Sequence, residues 1–248
     1  PNALLNATVA GNGPDVVVST DSWNPVNYAL RGAAEDLTQF NAEFVQKNII
    51  DKYSIDTTKV SVKPYDEVMT QFYPSAYQAF KFIDETGHEG VYALPETQLC
   101  SIMFYRSDIL EEYGLEVPRT WDALIAMLPT LQGANMSVGI PYPDIVAPNL
   151  SSFYSMIYQR GGSIYNEDAT MTTLNEEAAV AAFDMYTSLY NDYGLPLIFD
   201  FVSRFRSGEM PVGVGQYSLY NTLTVSAPEI RGLWDFTLYP GTIQEDGT

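Results

Sequence analysis

The sequence predicts an α/β protein, because short strand-like runs alternate along the chain with segments of helical periodicity. Several of these runs are apolar at consecutive positions, which is typical of strands that are buried on both faces of a sheet. The chain has 248 residues, of which 46% are hydrophobic, so it is long enough for one large domain or two smaller ones with their own cores. The predicted strands are residues 15–19, 91–94, 101–105, 138–141, 211–214 and 235–239.

The clearest predicted helix covers residues 176–193. Asn175 is placed to cap its first amides, and Gly194 is placed to end it. A set of apolar residues recurs at helical spacing and is expected to face the core. These residues are Ala179, Val180, Phe183, Tyr186 and Tyr190.

Two further helices are predicted in the middle of the chain. One begins after Thr120 as N-cap, and Pro129 is expected to end or kink it. Its apolar face consists of Trp121, Leu124, Ile125 and Leu128. A shorter helix covers residues 107–113 and stops at Gly114.

The segment 41–69 has weak periodicity and mixes Lys, Asp, Thr and Val. We interpret it as a loop-rich region with one helix near residues 44–53.

The charge of the chain excludes two classes of partner. Twelve Lys and Arg against 31 Asp and Glu give a net charge of −19, which repels nucleic-acid phosphates and anionic lipid headgroups. The longest charge-free stretches, such as residues 211–228, are interrupted by polar residues, so no segment has the roughly 18 continuous apolar residues of a membrane helix.

The single cysteine and single histidine restrict the possible chemistry. Cys100 has no intrachain partner for a disulfide, and the chain lacks the ligands of a zinc site with several Cys or His residues. His88 lies in a polar turn and is expected to be solvated, whereas Cys100 lies in an apolar run and is expected to be a buried, inert thiol. No cofactor motif is present, and we predict no metal site and no cofactor.

Carboxylates leave one catalytic alternative open. A glycosidase needs a pair of acids, and a pair such as Glu96 with Asp200 is available among the 31 acidic residues. The aromatic residues favour binding instead: 18 Tyr, 12 Phe and 3 Trp provide flat faces for sugar rings and hydroxyl groups for hydrogen bonds.

Four segments together resemble one family. They are the helix, turn and strand at residues 4–17, the stretch from residue 72 to residue 124, the Gly161-Gly162 pair with Thr173-Leu174-Asn175 and the long helix that follows, and residues 205–217 with their continuation to residue 242. They resemble the family 1 extracellular solute-binding proteins, the maltose-binding-protein-like, sugar-binding subunits of ABC importers. The resemblance covers nearly the whole chain except residues 41–69.

The resemblance implies a type II periplasmic-binding-protein-like fold, with two lobes joined by crossover strands and ligand between them. The first lobe is expected at residues 1–96, lacking its N-terminal strand and helix. The second lobe is expected at 97–236, and residues 237–248 are expected to return toward the first lobe. We further expect residues 91–94 and 236–239 to lie side by side as the two crossovers. The chain is interpreted as a truncated form of the family.

The resemblance also implies where a ligand is bound. The expected contacts, position by position, are Asp21, Ser22, Trp23, Glu96, Thr97, Gln98, Asn149, Ser151, Gln216 and Tyr217. Trp23 and Tyr217 are expected to stack on opposite faces of a sugar ring. Tyr217 stands where the family has a tryptophan, and Gln216 replaces the preceding proline, so stacking is retained on a smaller ring.

The function implied by the resemblance is capture of a carbohydrate, without catalysis, for an ABC importer. The expected partners are the ligand and the permease subunits. The expected location is extracellular or periplasmic, with a lipoprotein anchor outside this chain. Three alternatives remain: a non-sugar solute or a sensor role on the same fold, the glycoside hydrolase with paired carboxylates, and a structural or scaffold fragment whose cleft has decayed.

Overall fold

The structure, a computed structural model, describes residues 2–18, 24–84, 86–96, 100–141 and 151–243. The chain divides into two compact units, residues 1–98 and residues 99–248.

The first unit contains short helices and one hairpin. Its two strands pair antiparallel, with Lys81 opposite Val91 and Ile83 opposite Glu89. Asp36 joins a 3₁₀ helix to this hairpin: its carboxylate accepts hydrogen bonds from the backbone amides of Thr38 (3.0 Å) and Val91 (3.2 Å). The elements are α1 (Asn2–Val9), α2 (Asn24–Ala29), a 3₁₀ helix (Leu37–Gln39), α3 (Ala42–Val45), a π-helical turn (Gln46–Asp51), α4 (Tyr65–Met69), α5 (Pro74–Tyr77), a 3₁₀ helix (Gln78–Phe80), β1 (Lys81–Ile83) and β2 (Glu89–Val91).

One predicted strand of this unit is wrong, and one predicted helix is confirmed. Residues 15–18 form no strand, and Val16 is 76% exposed. A run of valines forms a strand only where another strand accepts its backbone hydrogen bonds, and the described residues of this unit supply none beside it. The helix expected near residues 44–53 is present, and it begins earlier because the Asn41 side chain caps the amide of Phe44 at 3.0 Å.

The second unit is built on a four-stranded sheet with the order β4-β5-β3-β6. The central strand β3 pairs antiparallel with both β5 and β6, and β4 pairs parallel with β5. The elements are β3 (Ser101–Arg106), α6 (Ser107–Glu112), α7 (Trp121–Gly133), β4 (Val138–Gly139), α8 (Ser151–Gln159), α9 (Glu177–Asn191), α10 (Phe201–Ser207), β5 (Val212–Gln216), α11 (Leu219–Ser226), a 3₁₀ helix (Pro228–Ile230) and β6 (Trp234–Thr237).

Helices cover both faces of this sheet, and successive residues of β3 therefore belong to different cores. Met103 packs in one cluster with residues of α7, α8 and α9. Ile102 and Phe104 pack in the other with residues of α10 and α11. This alternation is the one expected for a strand that is buried on both faces.

Several helix boundaries follow the sequence signals. The Thr120 hydroxyl accepts the amide of Ala123 at 3.1 Å and caps α7, and Gly114 takes a left-handed φ of 62° after α6. Pro129, however, does not end α7, which continues to Gly133. Packing holds the helix through the proline, because Leu128 and Leu131 beside it are almost fully buried.

The register of α9 differs from the prediction in two respects. Its N-cap is Glu176 and not Asn175, and no side chain caps its first amides. Phe183 and Val180 are 55% and 45% exposed, so they are not core residues. The buried face is set instead by Ala179, Ala182, Tyr186 and Leu189, which places Phe183 at its margin.

The predicted side-by-side arrangement of residues 91–94 and 236–239 is wrong. Glu89–Val91 pairs with β1 in the two-stranded sheet, whereas Trp234–Thr237 pairs with β3 in the four-stranded sheet. A proline after each run was the basis for pairing them, but a proline ends a strand without selecting its neighbour. The expected boundaries at residues 96, 236 and 237 remain predictions.

Candidate ligand-binding site

Four aromatic side chains of the second unit form a continuous array at the end of the sheet. They are Tyr217, Tyr220, Trp234 and Phe236, which we call the aromatic array. Tyr217 stacks on Tyr220, with ring centroids 5.8 Å apart and planes at 15°. Phe236 meets both tyrosines edge to face at 5.6 and 5.8 Å, and Trp234 meets Tyr220 edge to face at 5.6 Å. These are favoured geometries for aromatic pairs.

Local sequence places each of these rings. Tyr217 directly follows β5, and its amide donates to the carbonyl of Cys100 at 2.9 Å. Tyr220 lies three residues later in α11, so one helical turn brings it beside Tyr217. Trp234 and Phe236 alternate along β6 and therefore share one face of the sheet.

Two glycines of β5 let the covering helices approach this face closely. A Cβ on Gly215 would overlap Leu219 of α11, and a Cβ on Gly213 would overlap the ring of Phe201 of α10. The Val-Gly-Val-Gly pattern of residues 212–215 therefore puts valines on one face and leaves room for packed rings and helices on the other.

The aromatic array passes gradually from core to surface. Phe104 is fully buried, and the centroid of its ring lies 6.0 Å from that of Trp234 and 6.3 Å from that of Phe236. At the outer side, Phe236 and Tyr220 are each 37% exposed and Tyr217 is 45% exposed. The array thus presents anchored aromatic surface to solvent.

This surface suits a ligand with both apolar C–H faces and hydroxyl groups. The exposed part of the Tyr217 ring can receive a flat ring, and the Tyr217 hydroxyl can donate to or accept from ligand hydroxyls. No group of three or more His, Cys, Asp or Glu side chains that could hold a metal ion occurs among the described residues.

Of the predicted contacts, three are described with their side chains. Tyr217 lies in the aromatic array, and Gln216 is the exposed last residue of β5, in register with Ser101. Glu96 is exposed in the irregular segment after β2, in the first unit. Ser151 is the first residue of α8. The predicted contacts outside the described residues are Asp21, Ser22, Trp23, Thr97, Gln98 and Asn149.

Sequence reasoning missed three members of the array: Tyr220, Trp234 and Phe236. The spacing of Tyr220 after Tyr217 and the alternation of Trp234 with Phe236 are signals that the sequence contains. These rings come together only because β3 pairs with both β5 and β6, and no local sequence pattern predicts that pairing.

Two residues considered for catalysis, Asp200 and His88, are bound to neighbouring side chains. Asp200 caps α10, accepting from the Ser203 amide at 3.1 Å and the Ser203 hydroxyl at 2.7 Å, and these hydrogen bonds lower the pKa of Asp200. A carboxyl group held ionised in this way is a poor general acid. His88 is exposed as predicted and pairs with Asp36 at 2.8 Å. Cys100 is exposed, so the expectation of a buried thiol is wrong: it lies directly before β3 and outside the buried strand.

A second concave surface lies between α7 and α9. Asp122, Asp184 and Asp192 line it together with Arg160 and the partly buried Ile125. The Arg160 guanidinium donates to the Met156 carbonyl at 3.1 Å and to the Thr242 hydroxyl at 3.2 Å, and its burial lowers the pKa of Arg160. This concave surface carries charged side chains of both signs and includes no residue of the aromatic array.

The comparisons with known proteins agree on one type of protein. Residues 2–197 match the family described as bacterial extracellular solute-binding protein. The structure is similar to an ABC substrate-binding protein from Listeria monocytogenes in complex with cycloalternan, with 23% identity and a TM-score of 0.63 over 98% of this chain. It is also similar to the sugar-binding protein MalE from Xanthomonas citri, with 17% identity and a TM-score of 0.69 over 97% of this chain.

A third similar structure is UgpB from Mycobacterium tuberculosis in complex with glycerophosphocholine, with 20% identity and a TM-score of 0.66 over 100% of this chain. The chain spans 56%, 56% and 57% of the lengths of these three proteins. At identities below 25% these structures establish the fold alone, and the choice of ligand rests on the site.

Proposed function

Because the chain belongs to the family of bacterial extracellular solute-binding proteins, we propose that it captures a carbohydrate for delivery to an ABC importer. The predicted family and the α/β fold of the type II periplasmic binding proteins are both confirmed. The family is described as solute-binding, so in this proposal the outcome of ligand contact is capture and release.

The aromatic array is the observation that supports a carbohydrate. Tyr217 is exposed enough to receive a sugar ring on one face, and its other face is already supported by Tyr220. A sugar ring buries its C–H face on such a ring while its hydroxyls remain available for hydrogen bonds. The remaining contacts in this proposal are Asp21, Ser22, Trp23, Glu96, Thr97, Gln98, Asn149, Ser151 and Gln216.

The proposed partners and location come from the family. A bacterial extracellular solute-binding protein works in the periplasm or outside the cell and meets the permease of its transporter there. Among the described residues, no helix has both the length and the apolar character needed to cross a membrane. We include a lipoprotein anchor outside this chain in the proposal, tested by metabolic labelling of the full-length protein with a fatty acid.

A choline-bearing solute is the second candidate, because aromatic rings in a protein of net charge −19 also suit a quaternary ammonium group. An aromatic cage for a quaternary ammonium group has several ring faces turned toward one point. In the aromatic array the rings pack on one another, with the Tyr217 and Tyr220 planes 15° apart and the Phe236 plane at 71° and 82° to them. This geometry favours stacking on a sugar over a cage around a cation.

The test is a ligand screen followed by one substitution. Thermal shift of the full-length protein against mono- and oligosaccharides, with glycerophosphocholine and choline in the same panel, identifies the ligand class. Isothermal titration then compares wild type with Tyr217→Ala. Loss of a ring contact of about 0.5–1.5 kcal/mol is expected to weaken sugar binding by up to roughly tenfold.

Tyr158→Ala is the matched control, because Tyr158 is 57% exposed on α8 and lies outside the aromatic array. It is expected to leave the affinity unchanged. A stabilising shift with choline compounds and none with sugars would replace the first candidate by the second. Unchanged sugar affinity in Tyr217→Ala would remove Tyr217 from the site.

A further inference from the structure

Neighbouring rings fix the orientation of Tyr217 in the absence of a ligand. Tyr220 supports one face of Tyr217 at 5.8 Å with the planes at 15°, and Phe236 meets it edge to face at 5.6 Å and 71°. A half-exposed tyrosine without such neighbours would sample several rotamers. Here Tyr220 and Phe236 hold the half-exposed ring in one orientation before any ligand arrives.

The position of Tyr220 is in turn fixed by contacts that lead to the core. Its amide donates to the Tyr217 carbonyl at 2.9 Å, and its ring meets Trp234 edge to face at 5.6 Å. Trp234 in turn contacts Phe104, whose side chain is fully buried. A continuous series of ring contacts therefore connects the interior of the second unit to the exposed face of Tyr217.

We propose that Tyr220 is a positioning residue, which holds the ring of Tyr217 in the orientation that receives the sugar. This inference rests on the proposed function of Tyr217. Ordering a mobile side chain during binding weakens affinity, so a ring that is ordered in advance strengthens it. Tyr220 acts through Tyr217, and its loss is expected to weaken sugar binding by about two- to tenfold, in line with the strength of one aromatic pair.

A double-mutant cycle separates positioning from direct contact. Sugar affinity is measured by isothermal titration for wild type, Tyr217→Ala, Tyr220→Ala and the double variant, all as full-length protein. If Tyr220 acts through Tyr217, Tyr220→Ala weakens binding in the wild-type background and has little further effect once Tyr217 is alanine. Tyr220→Phe keeps the stacked ring and is expected to retain wild-type affinity.

Three results would overturn the inference. Equal losses from Tyr220→Ala in both backgrounds would show that Tyr220 contacts the sugar directly. Wild-type affinity in Tyr220→Ala would show that the stacking has no effect on binding. Loss of affinity in Tyr220→Phe would assign the effect to the hydroxyl group. If Tyr217→Ala alone leaves affinity unchanged, the proposed role of Tyr217 fails, and the inference fails with it.

Protein folding is checked separately from binding. Ligand-free melting curves are recorded for every variant, and Tyr220→Leu, which keeps apolar volume in α11 without a stacking plane, replaces Tyr220→Ala in the cycle if that variant does not fold. Tyr220→Leu is expected to weaken binding to the same degree. A merely structural role would lower the melting temperature and leave the affinity of the folded fraction unchanged.

Discussion

Substituting Gly213 by alanine tests whether close packing on β5 supports the aromatic array. A Cβ at this position would overlap the Phe201 ring, lie 2.9 Å from another atom of that ring and lie 3.0 Å from the carbonyl oxygen of Gly139. Phe201 belongs to the core cluster that contains Phe104, and the Gly139 carbonyl is part of the backbone of β4. Neither neighbour is the far end of a flexible side chain, so both the ring and the strand must move.

The expected cost is that of overpacking a core, about 1–3 kcal/mol in the free energy of unfolding. For a chain of this length each kcal/mol lowers the melting temperature by roughly 2–4 °C, so a decrease of about 2–12 °C is expected. Gly133→Ala is the matched control, because no atom lies within 4 Å of its added Cβ and the residue is the last of α7. Alanine there is expected to leave stability unchanged or raise it by up to about 1 kcal/mol.

Thermal and urea unfolding of the ligand-free protein, followed by circular dichroism, measure both variants against wild type. Gly213→Ala is also expected to weaken sugar binding, since Phe201 contacts Phe104, which supports Trp234 and Phe236. Equal stability of Gly213→Ala and wild type would refute the argument that β5 needs a residue without a side chain at this position.

Two further predictions concern stability. The carboxylate of Asp108 accepts two hydrogen bonds from Arg106, at 2.8 and 2.7 Å, and Arg106 is only 7% exposed. The hydrogen bonds from Arg106 are the main cause that lowers the pKa of Asp108, so this pair stabilises the fold above the unfolded pKa of about 3.9 and the contribution is lost as pH falls through the folded value. Asp108→Asn is expected to cost about 1–3 kcal/mol at neutral pH and to remove that part of the acid dependence, and urea unfolding at several pH values checks both. Phe183→Ala on α9 is expected to cost less than about 1 kcal/mol because Phe183 is 55% exposed, whereas Tyr186→Ala, at 5% exposure, is expected to cost about 3–5 kcal/mol; the reverse order in melting experiments would contradict the register of α9.

Local signals in the sequence predicted many of the helix and strand boundaries. Thr120 caps α7 because its hydroxyl needs only an amide three residues later, and Gly114 ends α6 because its left-handed φ needs no neighbour. The strand at residues 101–105 was predicted from its consecutive apolar residues, and the structure extends it by one residue to Arg106. The four segments that resemble the solute-binding proteins also predicted the family, and the match to residues 2–197 confirms it.

The sequence by itself thus determined the α/β class, the family and those elements whose start and end depend on residues next to one another. Only the tertiary structure decided which strand lies beside β6, that residues 15–18 form no strand, and that Phe183 lies at the margin of the buried face of α9. It also decided the aromatic array, because Tyr217 and Phe236 meet only when β3 pairs on one side with β5 and on the other with β6. The physical reason is that capping and chain reversal are satisfied within a few residues. Pairing and burial depend on groups far apart in the chain, whose positions a local pattern does not specify.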